Sequence, residues 1–257
     1  MKLKYFFFFI FGILLSSSNL FADDFTDAVL KAKKKLKETE NTNDQSTLLK
    51  VRGDFERILQ LKKNQWLIHY YMGLIDFSIS YQYMEKQDKD AIKKYTESSL
   101  EQLDKCIGMK EDFGEAWILR FAVNSNRWTY EPDKMNDIMA KQTEAKDMSK
   151  KYDPDNPRFY LIDGMNTYYT PEQFGGGIDK AQPLFEKSYE LFQIYKVQDE
   201  TYPEWGEDQA IGMLAMCYLG NNKLDDAKKW IDKGLEKFPD SGFLKEYVMK
   251  EYEKKKK

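Results

Sequence analysis

From residue 24 onward, apolar residues return every three or four positions, and no segment keeps up the strict alternation of apolar and polar residues that marks a strand. Val51, Phe55 and Ile58 trace one helical stripe, and Ile92, Tyr95, Ser99, Leu103 and Cys106 trace another. Between such stripes lie short breakers: Asn41-Thr42-Asn43-Asp44, Asp112-Phe113-Gly114, Asp153-Pro154-Asp155-Asn156-Pro157, Gly175-Gly176-Gly177 and Gly220-Asn221-Asn222. Helix alternating with short breaker predicts an all-α chain of about ten or eleven helices, folded as successive hairpins.

Hairpins at a fixed period would define the fold more sharply than any single helix. Starting a unit at Asp208, the residues Ile211, Leu214-Ala215, Tyr218, Ala227, Ile231 and Pro239 fall at the offsets of a helix-turn-helix repeat. Small residues at Ala215 and Ala227 would let the two helices approach, and Pro239 would end the second helix. This segment resembles the tetratricopeptide repeat family. Walking the register backwards, Tyr160, Gly164, Ala181 and Phe185 match in the preceding unit, with the hairpin turn lengthened by residues 170–177. Before that, Trp117 and Pro154 match, then Met72-Gly73 with the Leu103 stripe, then Val51 with Phe55. The resemblance covers most of residues 24–241, strongly in the last unit and loosely in the first three. It implies a right-handed solenoid of about five units over residues 23–257, treated as a single domain, with residues 242–252 as a C-terminal capping helix.

The N-terminus follows different rules. Lys2 and Lys4 precede an apolar run from Tyr5 to Leu15, then Ser16-Ser17-Ser18, with Ala22 just ahead of Asp23-Asp24. This is the layout of a secretory signal peptide over residues 1–22, and the run is shorter than the roughly 20 residues that span a bilayer. The expected location is therefore periplasmic or secreted. Export would bring Cys106 and Cys217 into an oxidising compartment, but both sit on apolar helical faces, and both are expected to be buried free thiols rather than a disulfide.

Composition narrows the chemistry. Of 257 residues, 42% are hydrophobic and 32% charged, which excludes a disordered tail and a multi-span membrane protein. The 40 basic against 43 acidic residues give no electrostatic reason to expect a nucleic-acid partner. One histidine and two distant cysteines cannot build a metal site, and no cofactor is expected. His69, amid Trp66, Tyr70 and Tyr71, has no identifiable nucleophile or carboxylate partner and reads as packing. The glycine run at 175–177 lacks the strand and Gly-Lys-Ser/Thr of a phosphate loop and reads as a turn. Asp153-Pro154-Asp155-Asn156 begins like a calcium loop, but Arg158 and Gly164 occupy the places of its glycine and glutamate. No catalytic set can be named, and an enzyme is not expected.

The 15% aromatic content is the compositional hint of binding. In the repeat family the first helices line a concave face. By position, Tyr70, Phe77, Ile118, Arg158, Met165, Tyr168 and Tyr169 are the ligand-groove candidates. The expected function is a non-catalytic module holding a protein or peptide partner, or a small ligand, on that face. The alternative is an accessory subunit of an envelope transport or assembly complex. Membrane contact would come only through such a partner, or weakly through the Lys254–Lys257 tail.

Overall fold

The structure, a computed structural model, describes residues 17–40 and 44–257. Of the expected signal peptide, residues 1–16 lie outside the described residues, and residues 17–22 form the backbone of the first helix. Eleven α-helices follow in order, with no strand among the described residues: α1 Ser17–Glu40, α2 Gln45–Leu59, α3 Gln65–Glu85, α4 Lys89–Met109, α5 Gly114–Ser125, α6 Met135–Tyr152, α7 Pro157–Tyr169, α8 Ile178–Ile194, α9 Glu207–Gly220, α10 Leu224–Lys237 and α11 Met249–Lys256. One helical stretch, Phe243–Val248, opens into π geometry and runs directly into α11.

The helices pack as neighbours in sequence: α1 on α2, α3 on α4, α5 on α6, α7 on α8 and α9 on α10. Pairs are joined by α2 against α3, α4 against α5 and α8 against α9, while α5 lies directly on α7. Local chemistry fixes where several helices begin. The Asp88 carboxylate accepts from the Ala91 amide at 3.0 Å and starts α4. Asn156 accepts from the Arg158 amide at 2.9 Å, and Pro157, which has no amide hydrogen to satisfy, occupies the first turn of α7.

Close approach within the hairpins depends on small residues. A Cβ at Gly73 would stand 3.1 Å from Leu103, and one at Gly164 would stand 2.6 Å from the Phe185 ring. Each of these two glycines, both on first helices, therefore receives a large side chain from the second helix of its own pair. Three apolar cores result. The first joins α1 to α5 around Phe55, Tyr70, Tyr71 and Ile75; the second joins α7 to α11 around Phe185, Leu214 and Ile231; the third lies between them around Ile118, Phe121 and Phe159. Trp205, from the segment between α8 and α9, packs against all three.

Cys106 and Cys217 are both free and buried, and burial pushes each thiol up to about 12. A neutral, inaccessible thiol is a poor nucleophile. The folded protein is therefore expected to leave a thiol-reactive dye uncoloured over minutes, and two thiols should react once it is denatured. Reaction of either in the native state would show that its helix pair opens locally.

Candidate functional site

The connection between α8 and α9, residues 195–206, does not turn tightly. It crosses the molecule to the face made by α1, α3 and α7, against the groove candidates Tyr70 and Arg158. Four successive carbonyls in it accept hydrogen bonds from side chains of that face. Lys33 of α1 donates to the Glu200 carbonyl and, at 2.7 Å, to that of Tyr202. The Tyr71 hydroxyl donates to the Thr201 carbonyl at 2.6 Å, and an Arg158 Nη donates to the Pro203 carbonyl. The Tyr202 ring stands edge-on to both Trp66 and Phe113, at 5.7 and 5.4 Å between centroids. The Trp205 indole N–H donates to the Tyr70 hydroxyl at 2.9 Å.

Beneath this strap is a buried ion pair. Arg158, only 1% exposed, donates to the Glu115 carboxylate at 3.0 Å, and its guanidinium is ringed by Phe192, Tyr195 and Trp205 at 5.6–5.8 Å. Asn156 adds a second donor to the same Glu115 oxygen at 2.6 Å. The other Glu115 oxygen and the Arg158 Nε find no partner among the described residues. Burial raises the Glu115 carboxyl, while Arg158 and then Asn156 draw it back down.

Three of the groove candidates are thereby corrected. Tyr70 and Ile118 are fully buried and Arg158 nearly so, so none of them faces an open groove. The strap and the adjoining first helices cover them. Arg158 holds the strap and Glu115 rather than a ligand.

The remaining four lie together elsewhere. Phe77 and Met165 are half-buried and pack on the third core; Tyr168 is half-buried, and Tyr169 is 56% exposed. Tyr168 and Tyr169 contact each other edge-on at 5.1 Å. Two tyrosines not anticipated from the sequence join them: Tyr81, one turn beyond Phe77 on α3 with the two rings 6.4 Å apart, and Tyr247, which stacks on Phe243 at 5.6 Å. Burial raises the Tyr169 phenol strongly, and the phenols of Tyr81, Tyr247 and Tyr168 raise it further. Tyr169 is thus more than half open to solvent and has the phenols of Tyr81, Tyr247 and Tyr168 as neighbours. The ends of α3 and α7 and the C-terminal helix thus converge on one aromatic hollow. Period four was the available signal, since Phe77 and Tyr81, Met165 and Tyr169, and Phe243 and Tyr247 are each four apart.

Other sequence features resolve into packing. The three glycine amides at 175–177 donate to the carbonyls of Glu172, Pro171 and Thr167, so the loop itself uses them. Asp153 accepts from Asn156 and from the Tyr195 hydroxyl. His69 is buried, 2.7 Å from the Gln102 side-chain oxygen. Two open clefts, one lined by Asp155, Lys187, Leu191, Ile194, Tyr195 and Lys196 and the other by residues 222–226, share no residue with the aromatic hollow.

No protein-family model matches the sequence, and no curated protein matches it. Among solved structures, the chain is similar to the HusA haemophore from Porphyromonas gingivalis, with a TM-score of 0.61 at 24% sequence identity. The match covers 79% of this chain and 95% of the haemophore. A likeness at that identity is one of fold.

Proposed function

We propose that this protein is a non-catalytic binding protein of the periplasm or extracellular space, and that its ligand seat is the aromatic hollow of Tyr81, Tyr168, Tyr169 and Tyr247 with Phe77 and Met165. The observation that carries this reading is the convergence of four tyrosines from three separate elements, with Tyr81, Tyr169 and Tyr247 each at least 39% exposed. Stacked and edge-on rings that remain open offer apolar faces and hydroxyls together, which suits a flat, conjugated ligand better than an extended chain. The haemophore likeness supports a porphyrin such as haem as the ligand class. The paired helices, with glycine set against a large side chain at Gly73 and Gly164, support the tetratricopeptide reading of the repeats.

The test is an absorption titration of the protein from residue 23 onward with hemin and, separately, with iron-free protoporphyrin IX. Binding in the hollow predicts a saturable shift of the main porphyrin band that Tyr169→Ala weakens. A linear, unsaturable response to both would remove the porphyrin reading.

A further inference from the structure

The face beneath the strap is chemically a peptide-reading surface, and the chain's own residues 199–205 occupy it. Most loops satisfy their carbonyls with water or with their own amides. Here the carbonyls of Glu200, Thr201, Tyr202 and Pro203 are taken in succession by Lys33, Tyr71, Lys33 again and Arg158, side chains drawn from α1, α3 and α7. The Tyr202 ring, meanwhile, enters an aromatic pocket made by Trp66 and Phe113. Donors on the backbone and a pocket for one side chain are the two parts of extended-peptide recognition. Charge is matched as well: the strap carries Asp199, Glu200 and Glu204, and Lys33 also pairs with the Glu204 carboxylate at 3.0 Å.

We infer that the α1, α3 and α7 face binds an extended acidic peptide of a partner protein, with tyrosine in the Trp66–Phe113 pocket, and that the 199–205 strap is a built-in competitor for that place. Partner binding then requires the strap to leave, so the strap sets a threshold of partner affinity or concentration. The residues differ from those of the aromatic hollow, and the surface stands or falls separately from porphyrin binding.

The experiment replaces residues 199–204 by a Gly/Ser linker of the same length and keeps Trp205, so that the three cores retain their shared contact. A fluorescent peptide of residues 198–204 is the probe. The linker variant should remain helical and bind the peptide saturably, at least about tenfold more tightly than the unaltered protein does. Adding Tyr71→Phe, which removes the donor to the Thr201 carbonyl, should weaken that binding about fivefold. If the linker variant does not fold, Tyr202→Ala in the intact chain replaces it; this empties the Trp66–Phe113 pocket while the strap carbonyls keep their donors, so the peptide should bind more tightly than to the unaltered protein but by less than about tenfold. A folded variant that does not bind the peptide, or binding indifferent to Tyr71→Phe, overturns the assignment. So does a dimer of the unaltered protein that the linker abolishes, because the strap would then serve a second copy of the chain.

Discussion

Replacing Arg158 by methionine is expected to lower the unfolding free energy by about 3–5 kcal/mol, the usual consequence of removing one partner from a buried ion pair. For a chain of this size that corresponds to a fall in melting temperature of about 10 °C. The loss has three parts. Glu115 keeps a charge with no counter-ion in a site 4% exposed, the Pro203 carbonyl loses its donor, and the aromatic ring of Phe192, Tyr195 and Trp205 loses the cation at its centre. Replacing Glu115 by methionine as well should recover most of the stability, since two well-packed apolar side chains replace a buried pair at little net cost. If the double variant is as unstable as Arg158→Met alone, the strap hydrogen bond rather than the ion pair carries the effect.

The pH dependence of that variant follows from Glu115. Burial already raises its carboxyl in the folded state, and Arg158 is the largest influence holding it down. Without Arg158 the folded value rises further above the unfolded one. The folded state then takes up a proton more readily than the unfolded chain, and the penalty for the charged carboxylate is present above the folded pKa and relieved as pH falls through it toward the ordinary carboxylate range. The gap between Arg158→Met and the unaltered protein should therefore narrow from pH 7 to pH 5 in denaturant unfolding. A gap that widens on acidification would place the lost stability outside Glu115.

Arg158 also marks where the sequence stopped being informative. Apolar spacing and breakers located the hairpins, because those features act over one or two turns of chain. Position on a first helix was enough to bring Phe77, Met165, Tyr168 and Tyr169 into one list. It was not enough to separate them from Tyr70, Ile118 and Arg158, because that separation is made by a strap more than 120 residues away in sequence from Tyr70 and Tyr71. Nothing in Asp199-Glu200-Thr201-Tyr202-Pro203-Glu204-Trp205 distinguishes a solvated linker from a segment folded across three cores, except the cost of leaving Tyr202 and Trp205 in water. Tyr81 and Tyr247 were missed for a related reason. One lies in the last turns of a 21-residue α3, and the other lies in the stretch expected only to cap the array.

The tyrosines of the hollow are expected to divide by role. On the proposed function, Tyr169→Ala combined with Tyr247→Ala should weaken porphyrin binding by about 2 kcal/mol or more, roughly thirtyfold, because aromatic residues at the centre of a contact dominate its energy. Stability should change by less than about 1 kcal/mol, since Tyr169 and Tyr247 are 56% and 39% exposed and neither fills a core. Tyr168 is different. It is half-buried, packs with the second core and lies 6.5 Å from the Phe185 ring. Tyr168→Ala should therefore cost stability of about 2–3 kcal/mol through the space it leaves, and should reduce binding mainly by disordering its neighbours. Melting temperature and porphyrin affinity measured on the same samples separate the two roles. If Tyr169→Ala with Tyr247→Ala melts far below the unaltered protein while each folded molecule binds as before, the hollow is packing that happens to be open, and the ligand seat lies on another face.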